Sequence, residues 1–400
     1  MKILFLTLVE FSSIEEHNIY SDLLRTFRDH GHEVYIISPV EKREGEETHI
    51  IEETNSKILK LKIGNIQKTN IVEKGITTLS IESVYKKAIQ KHFGDVKFDL
   101  VLYSTPPITF SNAIEFVKKR DNARTYLLLK DIFPQNSIDI GMLRESGVKG
   151  SIYKHFRKQE KKLYAISDRI GCMSPANVRY LLEHNPDVSA DKVEVCPNSI
   201  DPVDRSCTPE ESRSIREKYD LPLDKKIFVY GGNLGRPQGV DFLIDCLRQQ
   251  HIADAFFLIV GSGTEYGKLR QFVDAEKPEN VMLLQSLPRE DYDKMIGACD
   301  VGMIFLDYRF TIPNFPSRLL SYMQAKLPVL CATDPNTDIG TIAEENGFGY
   351  KCLSNDAGRF VATAERMLTD DLTVMGDNGY RYLLNNYNVK QSYEIIMKTK

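Results

Sequence analysis

The stretch "KKIFVYGGNLGRPQGVDFLI", residues 225–244, joins an apolar run to a helical segment through a glycine-rich turn. Residues 227–230 are apolar without alternation, which is typical of a strand covered on both faces of a parallel sheet. The residues after Gly239 open a helix. A buried strand, a glycine turn and a helix form the repeating unit of doubly wound α/β domains, so the stretch predicts one such domain.

The same alternation of apolar runs and helical patterns extends in both directions along the chain. Parallel strands joined by helices carry their ligand loops at the carboxyl ends of the strands. The fold class is therefore α/β, with two Rossmann-like doubly wound domains facing a central cleft. The predicted strands lie in the runs 2–8, 33–38, 99–105, 125–130, 169–174, 192–197, 225–232, 255–263, 280–286, 300–306 and 327–333.

A polar, proline-containing segment, residues 198–224, separates the two series of strands. Because 400 residues exceed one ordinary core, we expect two domains. The predicted domains span residues 1–203 and 204–380. Residues 381–400 form a C-terminal helix that can pack back on the first domain. A charged surface excursion in the first domain is predicted to hold one edge strand at 57–62.

The composition is that of a globular protein, with 42% apolar and 27% charged residues. The net charge of −4 argues against a general nucleic-acid binder, so no nucleic acid is expected as a partner. Seven cysteines show no metal-like spacing and are read as buried thiols in a reducing cytosol. The first ten residues read as a strand and not as a signal peptide. A cytoplasmic protein with only peripheral membrane contact is predicted.

The glycine-rich turn of the opening stretch carries groups that suit a diphosphate. Gly231, Gly232 and Gly235 let a ligand approach the backbone, the helix start near Gly239 offers free amides, and Arg236 adds a positive charge. The turn has neither the P-loop lysine nor the GxGxxG spacing. A plain strand-to-helix turn explains the same glycines, and both interpretations stay open at this point.

Two further strand ends can face the same ligand. Gly261 and Gly263 form a second glycine-bearing turn, for which a tight βα turn is an equal explanation. The backbone from Leu284 onward can recognise a base edge. Asp291 and Asp293 form a literal DxD, but they stand in a first helical turn, where acids favour the helix dipole. We therefore predict no metal and no cofactor.

In the first domain, two loops after strands hold polar side chains. Lys130 and Asp131 follow the strand at 125–130, where an acid can contact a hydroxyl group of a ligand. Glu15 and His17 follow the first strand and can also face a ligand. Helix capping, turn formation and solvation are the competing explanations for both loops.

Residues 149–169 form a predicted helix rich in lysine and arginine with interleaved aromatic residues. Such a helix can lie on an anionic membrane surface and gain about 1 kcal/mol for each cation near the lipid. A merely solvated face is the alternative explanation.

Taken together, these segments resemble the glycosyltransferase family 4 group with the GT-B fold, and particularly its bacterial surface-polysaccharide branch. The resemblance covers most of the chain, and it depends on the order and spacing of the segments. They are "HGHEVYIISP" 30–39, "STPPITF" 104–110, "KDIFPQNSIDIGML" 130–143, "EKKLYAISDRIGCMSPANVRYL" 160–181, "CPNSIDP" 196–202, "GGNLGRPQG" 231–239 and "FPSRLLSYMQAKLPVL" 315–330.

The resemblance implies a metal-independent hexosyltransferase that retains anomeric configuration. It also implies that residues 1–203 form an acceptor-binding domain and residues 204–380 a nucleotide-sugar-binding domain that holds most of the donor. It also implies a UDP-linked donor, with an N-acetylated amino sugar as a candidate. The implied acceptor is a lipid-diphosphate-linked saccharide in capsule, O-antigen or exopolysaccharide assembly. The reaction is expected at the cytoplasmic face of the inner membrane.

The chain departs from the family pattern at the donor site. Pro313 and Ser321 stand where two glutamates eight positions apart are usual, the second of which grips the ribose. Asn233 and Gln238 stand where many members carry arginine and lysine, so Arg236 is the nearest replacement charge.

The predicted site therefore depends on phosphate anchoring by the helix at 317–325, capped by Ser317, together with Arg236. The catalytic residues are predicted to be Asp131 and Arg236, and the acceptor side is predicted to hold Glu15, His17 and Lys130. The predicted donor-binding residues are Gly232, Asn233, Gly235, Gln238, Gly261, Gly263, Leu284, Phe315, Pro316, Ser317, Arg318 and Ser321.

Two alternatives remain open. A UDP-sugar 2-epimerase shares the twin-domain architecture and needs no acceptor. A non-catalytic homologue that acts as partner subunit of an active transferase is suggested by the missing glutamates.

Overall fold

The structure is a computed structural model that describes residues 1–66 and 71–398. It divides the chain into two compact units. The first unit comprises Met1–Asp201 and the chain from Val389 onward, and the second comprises Pro202–Asn388. Each unit is built around its own sheet.

The first unit contains an eight-stranded sheet in the order β3-β4-β2-β1-β5-β6-β7-β8. Every neighbouring pair is parallel except β3 and β4. The strands are β1 Lys2–Leu6, β2 Glu33–Glu41, β3 His49–Glu53, β4 Ser56–Ile63, β5 Leu100–Ser104, β6 Arg124–Leu129, β7 Arg169–Cys172 and β8 Val193–Val195. The helices that come before the second unit in the chain are α1 Ser21–Asp29, α2 Ile71–His92, α3 Ser111–Asp121, α4 Gln135–Asp139, α5 Gly147–Ile166 and α6 Pro175–His184.

Both faces of this sheet are buried, which explains why its strands read as continuous apolar runs. On β1, Leu4 and Leu6 belong to one apolar core, whereas Ile3 and Phe5 belong to another. Successive side chains of a strand point to opposite faces, so a strand between two cores needs apolar residues at every position.

The predicted edge strand at 57–62 is wrong in its position. The segment forms β4, which pairs on one side with β2 and on the other with β3, so that β3 is the edge strand. Its side chains are correspondingly buried: Lys60 is 3% exposed and pairs with Glu10 at 2.9 Å. The lysines of β4 made the segment look like a surface strand. Lys60 can be buried because Glu10, in the loop after β1, forms an ion pair with it.

The second unit contains a six-stranded parallel sheet in the order β11-β10-β9-β12-β13-β14. The strands are β9 Lys226–Asn233, β10 Ala255–Ser262, β11 Val281–Leu284, β12 Val301–Phe305, β13 Val329–Thr333 and β14 Gly349–Leu353. The helices are α7 Pro209–Lys218, α8 Val240–Gln249, α9 Tyr266–Glu276, α10 Arg289–Gly297, α11 Arg318–Gln324, α12 Ile339–Glu345, α13 Ala357–Thr369 and α14 Leu372–Asn386.

The strand order reverses at one strand in each unit. In the second unit β9 lies between β10 and β12, and in the first unit β1 lies between β2 and β5. Connections leave such a strand in opposite directions, which opens a crevice at its carboxyl end where ligands of α/β domains bind. The carboxyl ends of β9 and β1 are therefore the expected ligand-binding positions of the two units.

The C-terminal segment is shared between the two units. Residues up to Asn388 belong to the second unit, beyond the predicted limit at 380, and the last helix, α15 Val389–Met397, belongs to the first. The amide of Val389 donates to the carbonyl of Ile200 at 2.9 Å. The part of the predicted 381–400 helix that groups with the first unit is therefore α15 alone.

Helix α15 is held by apolar packing and by one aromatic cluster. Ile396 is 1% exposed and belongs to the same core as Phe27. The Tyr393 ring lies 4.9 Å from Phe27 and 4.2 Å from His30, measured between ring centroids. Among the residues that the structure describes, no helix is long and apolar enough to cross a membrane.

We expect the Ile396→Ala substitution to destabilise the first unit by about 2 to 4 kcal/mol, because it leaves a cavity in a packed core. Leu384→Ala is the matched control, since Leu384 is 39% exposed on α14. Hydrogen exchange should show faster exchange in β1 and β2 for the first variant only. Unchanged exchange in both variants would mean that α15 does not stabilise this unit.

Candidate active site

The glycine turns at the ends of β9 and β10 are required by close backbone packing. A side chain at Gly261 would place its Cβ 2.0 Å from the carbonyl oxygen of Gly232. At Gly263, the Cβ would lie 2.3 Å from the carbonyl oxygen of Leu234. Both glycines are therefore explained by the tight turn, which was one of the two interpretations left open by the sequence.

A tyrosine pair closes the space behind the end of β9. A Cβ at Gly231 would lie 1.6 Å from the Tyr292 hydroxyl, so only glycine fits there. The Tyr322 hydroxyl accepts from the amide of Gly231 at 3.2 Å and faces the carbonyl oxygen of Met303 at 3.1 Å. These contacts fix the strand end from one side and leave exposed Gly232 facing solvent.

Arg318, the first residue of α11, lies against this strand end. Its guanidinium carbon is 4.2 Å from the centre of the Tyr230 ring. A Cβ at Gly232 would be 3.6 Å from the Nη2 atom of Arg318. The Nη1 atom is buried and has no hydrogen-bond partner, and no carboxylate of the described residues forms an ion pair with this side chain.

The polar residues of the glycine loop hold one another. The Gln238 side-chain oxygen accepts from the Gly235 amide and from the Asn233 side-chain amide, both at 3.1 Å. The predicted cation Arg236 is 55% exposed and lies 3.8 Å from Glu265. Asn233 and Gln238 therefore shape the loop, while Arg236 extends toward solvent.

The predicted cap at Ser317 is wrong. Ser317 has helical backbone angles and its side chain makes no capping hydrogen bond. The amides of Leu319 and Leu320 already donate to the carbonyls of Pro316 and Ser317. With seven residues and its first-turn amides partly used, α11 is a poor anion site by itself, and its contribution at this edge is the Arg318 side chain.

The remaining predicted donor residues lie at different depths. Phe315 is 7% exposed and packs against Tyr387, with ring centroids 5.6 Å apart. Ser321 is half-buried on α11, and Pro313 is buried ahead of it. Leu284 pairs with Val260, which pairs with Gly231, so Leu284 lies two strands away from Gly231, at about 10 Å.

The DxD acids are engaged by neighbouring cations. Asp291 lies 3.3 Å from Lys218, and Asp293 pairs with Arg205. Within the described parts of the chain, no group of three or more histidine, cysteine, aspartate or glutamate side chains could hold a metal ion.

In the first unit, Asp131 lies just beyond the end of β6 in a hydrogen-bonded loop. The Asn136 side-chain amide donates to both carboxylate oxygens at 2.9 Å. The hydroxyl oxygen of Thr105 accepts from the amides of Lys130 and Asp131, both at 3.1 Å. Two adjacent strand ends, of β5 and β6, therefore hold this loop together.

Burial shifts the pKa values of Asp131 and Lys130 from their ordinary values toward pH 7. It raises the pKa of the Asp131 carboxyl to about 6, although the hydrogen bond from Asn136 works in the opposite direction. It also lowers the pKa of the Lys130 ammonium to about 8. The pKa of the Tyr20 hydroxyl is raised by burial and further by the charge of Asp131. Tyr20 is thus a residue of this cluster that the sequence did not indicate.

The predicted acceptor residues Glu15 and His17 are engaged by α1 and its arginines. Glu15 pairs with Arg28. His17 lies 3.3 Å from Arg25 and 3.5 Å from Asp22. These contacts agree with a structural role of the loop after β1. Among the described residues, no contact joins Glu15 or His17 to Asp131.

The two units match two family models. Residues 19–204 match the family described as Glycosyltransferase Family 4, and residues 211–382 match Glycosyl transferases group 1. The chain belongs to the glycosyltransferases. The resemblance inferred from the order of the sequence segments is thereby confirmed.

Curated relatives of the glycosyltransferase share about a fifth of its residues. It is 22% identical over 302 residues to the probable glycosyltransferase WbjE of Pseudomonas aeruginosa, covering 74% of this chain and 72% of the relative. It is 21% identical over 252 residues to WcaI of Escherichia coli K12, a putative colanic acid biosynthesis glycosyl transferase. That match covers 62% of this chain and 60% of WcaI.

Solved structures show that the glycosyltransferase has the GT-B fold. A sucrose-phosphate synthase from Thermosynechococcus elongatus matches with a TM-score of 0.76 at 15% identity, covering 99% of this chain and 97% of the other. WaaG, involved in lipopolysaccharide biosynthesis, gives 0.67 at 13% identity, covering 99% and 100%. Anabaena HepE in complex with UDP gives 0.69 at 15%, covering 99% and 98%. The predicted α/β fold class is confirmed.

The raised pKa of Asp131 predicts a specific pH dependence of stability. Its native pKa of about 6 exceeds the ordinary value of 3.8, so the native state holds this proton more tightly than the unfolded state. Stability from this group is present below the ordinary pKa and is lost as pH rises through about 6. The Asp131→Asn variant should therefore gain stability relative to the parent protein from pH 4 to pH 6.5, measured by urea unfolding.

Asp168→Asn is the matched control with the opposite sign. Burial alone would raise the pKa of Asp168, but hydrogen bonds from Lys118 and Thr125 hold it below its ordinary value. As pH rises through the titration range of Asp168, below pH 4, the parent protein gains stability that the variant cannot gain. The stability of the variant relative to the parent should therefore fall over that range and should not rise between pH 4 and pH 6.5. Parallel pH profiles for the two variants would contradict the assignment for Asp131.

Proposed function

We propose that this glycosyltransferase moves a sugar, with retention of configuration and without a metal, from a UDP-sugar to a lipid-diphosphate-linked saccharide during surface-polysaccharide assembly. The observation that carries the proposal is the glycine-rich end of β9, where the exposed Gly232 leaves backbone open to a ligand at the point of strand reversal. WcaI is a putative colanic acid biosynthesis glycosyl transferase, and WaaG is involved in lipopolysaccharide biosynthesis, which supports a role in polysaccharide assembly. The complex of HepE with UDP supports a uridine donor. An N-acetylated amino sugar is the candidate sugar.

The proposed step needs no side-chain nucleophile. The bond between sugar C1 and the β-phosphate oxygen breaks, and its electron pair stays on that oxygen. The acceptor hydroxyl oxygen forms the new bond to C1 on the same face, and its proton passes to the β-phosphate oxygen. The products are the extended saccharide and UDP, so the site must stabilise the negative charge that develops on the diphosphate.

Asp131 has the properties of a residue that binds a sugar hydroxyl. Its carboxylate is oriented by Asn136, and its loop is held by Thr105. A partly buried carboxylate accepts a hydrogen bond from a hydroxyl more strongly than an exposed one, because water competes less. We assign Asp131 the positioning of the acceptor or of the transferred sugar, with Lys130 beside it.

A transfer assay tests the proposal directly. The protein is incubated with a panel of UDP-sugars and short lipid-diphosphate saccharides, and the anomeric configuration of the product is read by NMR. The Asp131→Ala variant should lower turnover by roughly 100-fold, as expected for a lost hydrogen bond to a charged group. Glu15→Ala is the control, because Glu15 pairs with Arg28 at an exposed position. Intact turnover in Asp131→Ala would remove the role assigned to it.

The same assay separates the two alternatives. Conversion of the UDP-sugar without any acceptor would indicate a 2-epimerase. Absence of both conversion and nucleotide binding would favour a non-catalytic partner subunit. A product with inverted configuration would contradict the retaining mechanism.

Helix α5 supports a peripheral contact with an anionic membrane. Ile152 is 42% exposed, and Met142, just before the helix, is 52% exposed. Lys154 and Lys158 are exposed on the same helix. Helices that bind at a membrane interface combine exposed apolar side chains with lysines, and α5 carries both.

Vesicle sedimentation tests this contact. Replacing Lys154 and Lys158 by glutamine should weaken binding to phosphatidylglycerol vesicles by about 2 kcal/mol, roughly 30-fold, since each cation near the lipid contributes about 1 kcal/mol. Replacing Lys277 and Lys294, which are exposed on the second unit, is the control with the same charge change. Equal losses for both pairs would indicate a nonspecific charge effect.

A further inference from the structure

The partly buried side chain of Arg318 interacts with the Tyr230 side chain but has no acidic partner among the described residues. It lies half-buried, its Nη1 atom has no hydrogen-bond partner, and no described acidic side chain forms an ion pair with it. Removing a charge from water without a partner is costly, so partly buried cations are usually paired. An unpaired one at a ligand edge indicates that the missing partner is an anionic ligand.

The guanidinium is held ready for that ligand by stacking. The Tyr230 ring beneath it, 4.2 Å away, is fully buried and cannot move aside. Behind the ring, Tyr292 occupies the space beside Gly231, and the Tyr322 hydroxyl bonds to the Gly231 amide. Because Nη1 is buried, the edge of the guanidinium formed by Nε and Nη2 is the one that can present two parallel N–H donors to phosphate oxygens.

The glycine at the end of β9 leaves open the space next to the guanidinium. Gly232 has a φ of 120°, and a Cβ there would lie only 3.6 Å from Nη2 of Arg318. Any larger residue would project a side chain toward the cation. Backbone that stays open beside a fixed guanidinium is an arrangement that accommodates a diphosphate.

The other candidate cations of this edge are occupied or absent. Asn233 and Gln238, at the positions where the family resemblance expects arginine and lysine, bond to each other. Arg236 is 55% exposed and lies 3.8 Å from Glu265, whose carboxylate also contacts Lys268 at 2.6 Å. Arg236 therefore starts with a competing anion beside it, whereas Arg318 does not.

We propose that Arg318, and not Arg236, is the cation that binds the donor diphosphate and stabilises the charge of the leaving nucleotide. The inference rests on the proposed function, since it assumes a nucleoside diphosphate as the leaving group. When the bond between C1 and the β-phosphate oxygen breaks, the electron pair remains on that oxygen, and the Arg318 fork donates hydrogen bonds to the diphosphate. A positive charge on α11 thus replaces the two cations that are missing from the glycine loop.

Calorimetric titration of four variants tests this assignment. The full-length protein is first titrated with UDP, GDP, ADP and CDP, and the tightest of these and its nucleoside are then used for R318Q, R318K, R236Q and R236K. R318Q should weaken diphosphate binding by roughly 30-fold or more and leave nucleoside binding within about threefold. R318K keeps the charge but loses the planar guanidinium, so its diphosphate affinity should lie between those of R318Q and the parent protein. R236Q and R236K should change both affinities by less than about threefold.

Thermal unfolding separates binding from folding. Because Arg318 has no acidic partner, R318Q leaves no carboxylate unpaired, and its melting temperature should equal or exceed that of the parent protein. A cation with a purely structural role would lower the melting temperature and leave the difference between diphosphate and nucleoside affinity unchanged. In the transfer assay R318Q should lower kcat more than R236Q does.

The outcomes distinguish this inference from the function on which it rests. If the parent protein binds a diphosphate and R318Q binds it equally well, the role of Arg318 is overturned while the transferase proposal stands. If R236Q rather than R318Q loses diphosphate affinity, Arg236 is the leaving-group cation. If the parent protein binds none of the four diphosphates, the proposed function fails and the inference fails with it.

Discussion

The contact between the ends of β9 and β10 is the constraint on which the candidate donor site depends. A Cβ at residue 261 would lie 2.0 Å from the carbonyl oxygen of Gly232, so the two strands can close only because residue 261 lacks a side chain. This closure brings the turn after β9 next to the turn after β10 and leaves one peptide edge facing solvent. Tyr230, buried just before the turn, then provides the surface on which the guanidinium of α11 stacks. The strand packing thereby determines where a charged side chain can be held.

The strands were the part of the fold that the sequence predicted well, and the reason is local. The run 2–8 became Lys2–Leu6, and the run 255–263 became Ala255–Ser262, because a strand covered on both faces shows its burial in every residue. The strand at 57–62 was misplaced to the edge because Lys60 reads as a surface residue. Its burial depends on Glu10, a partner fifty positions away that no local pattern reveals.

The site residues divide in the same way. The glycines and the Asp131 loop were identifiable, since turns and strand ends have local signals. The stacking of Arg318 on Tyr230 was not, because it joins residues 88 positions apart through packing alone. Ser317 illustrates the reverse error: a serine before a helix suggests a cap, but its backbone is already helical and its side chain makes no capping bond. Tyr20 was missed because a tyrosine before a helix has no distinctive pattern, and its proximity to Asp131 comes from the packing of α1 against the sheet.

The return of the chain to the first unit at α15 has an evolutionary consequence. The chain leaves the first unit after Asp201 and rejoins it at Val389, and the amide of Val389 bonds to the carbonyl of Ile200. The second unit is thus a single continuous insert whose two ends are anchored at neighbouring backbone positions of its host. Domains whose two ends lie close together can be inserted into a host or replaced as a whole without disturbing the host sheet. In such an architecture the unit that carries the glycine turns of β9 and β10 can be replaced while the unit that carries Asp131 is inherited unchanged.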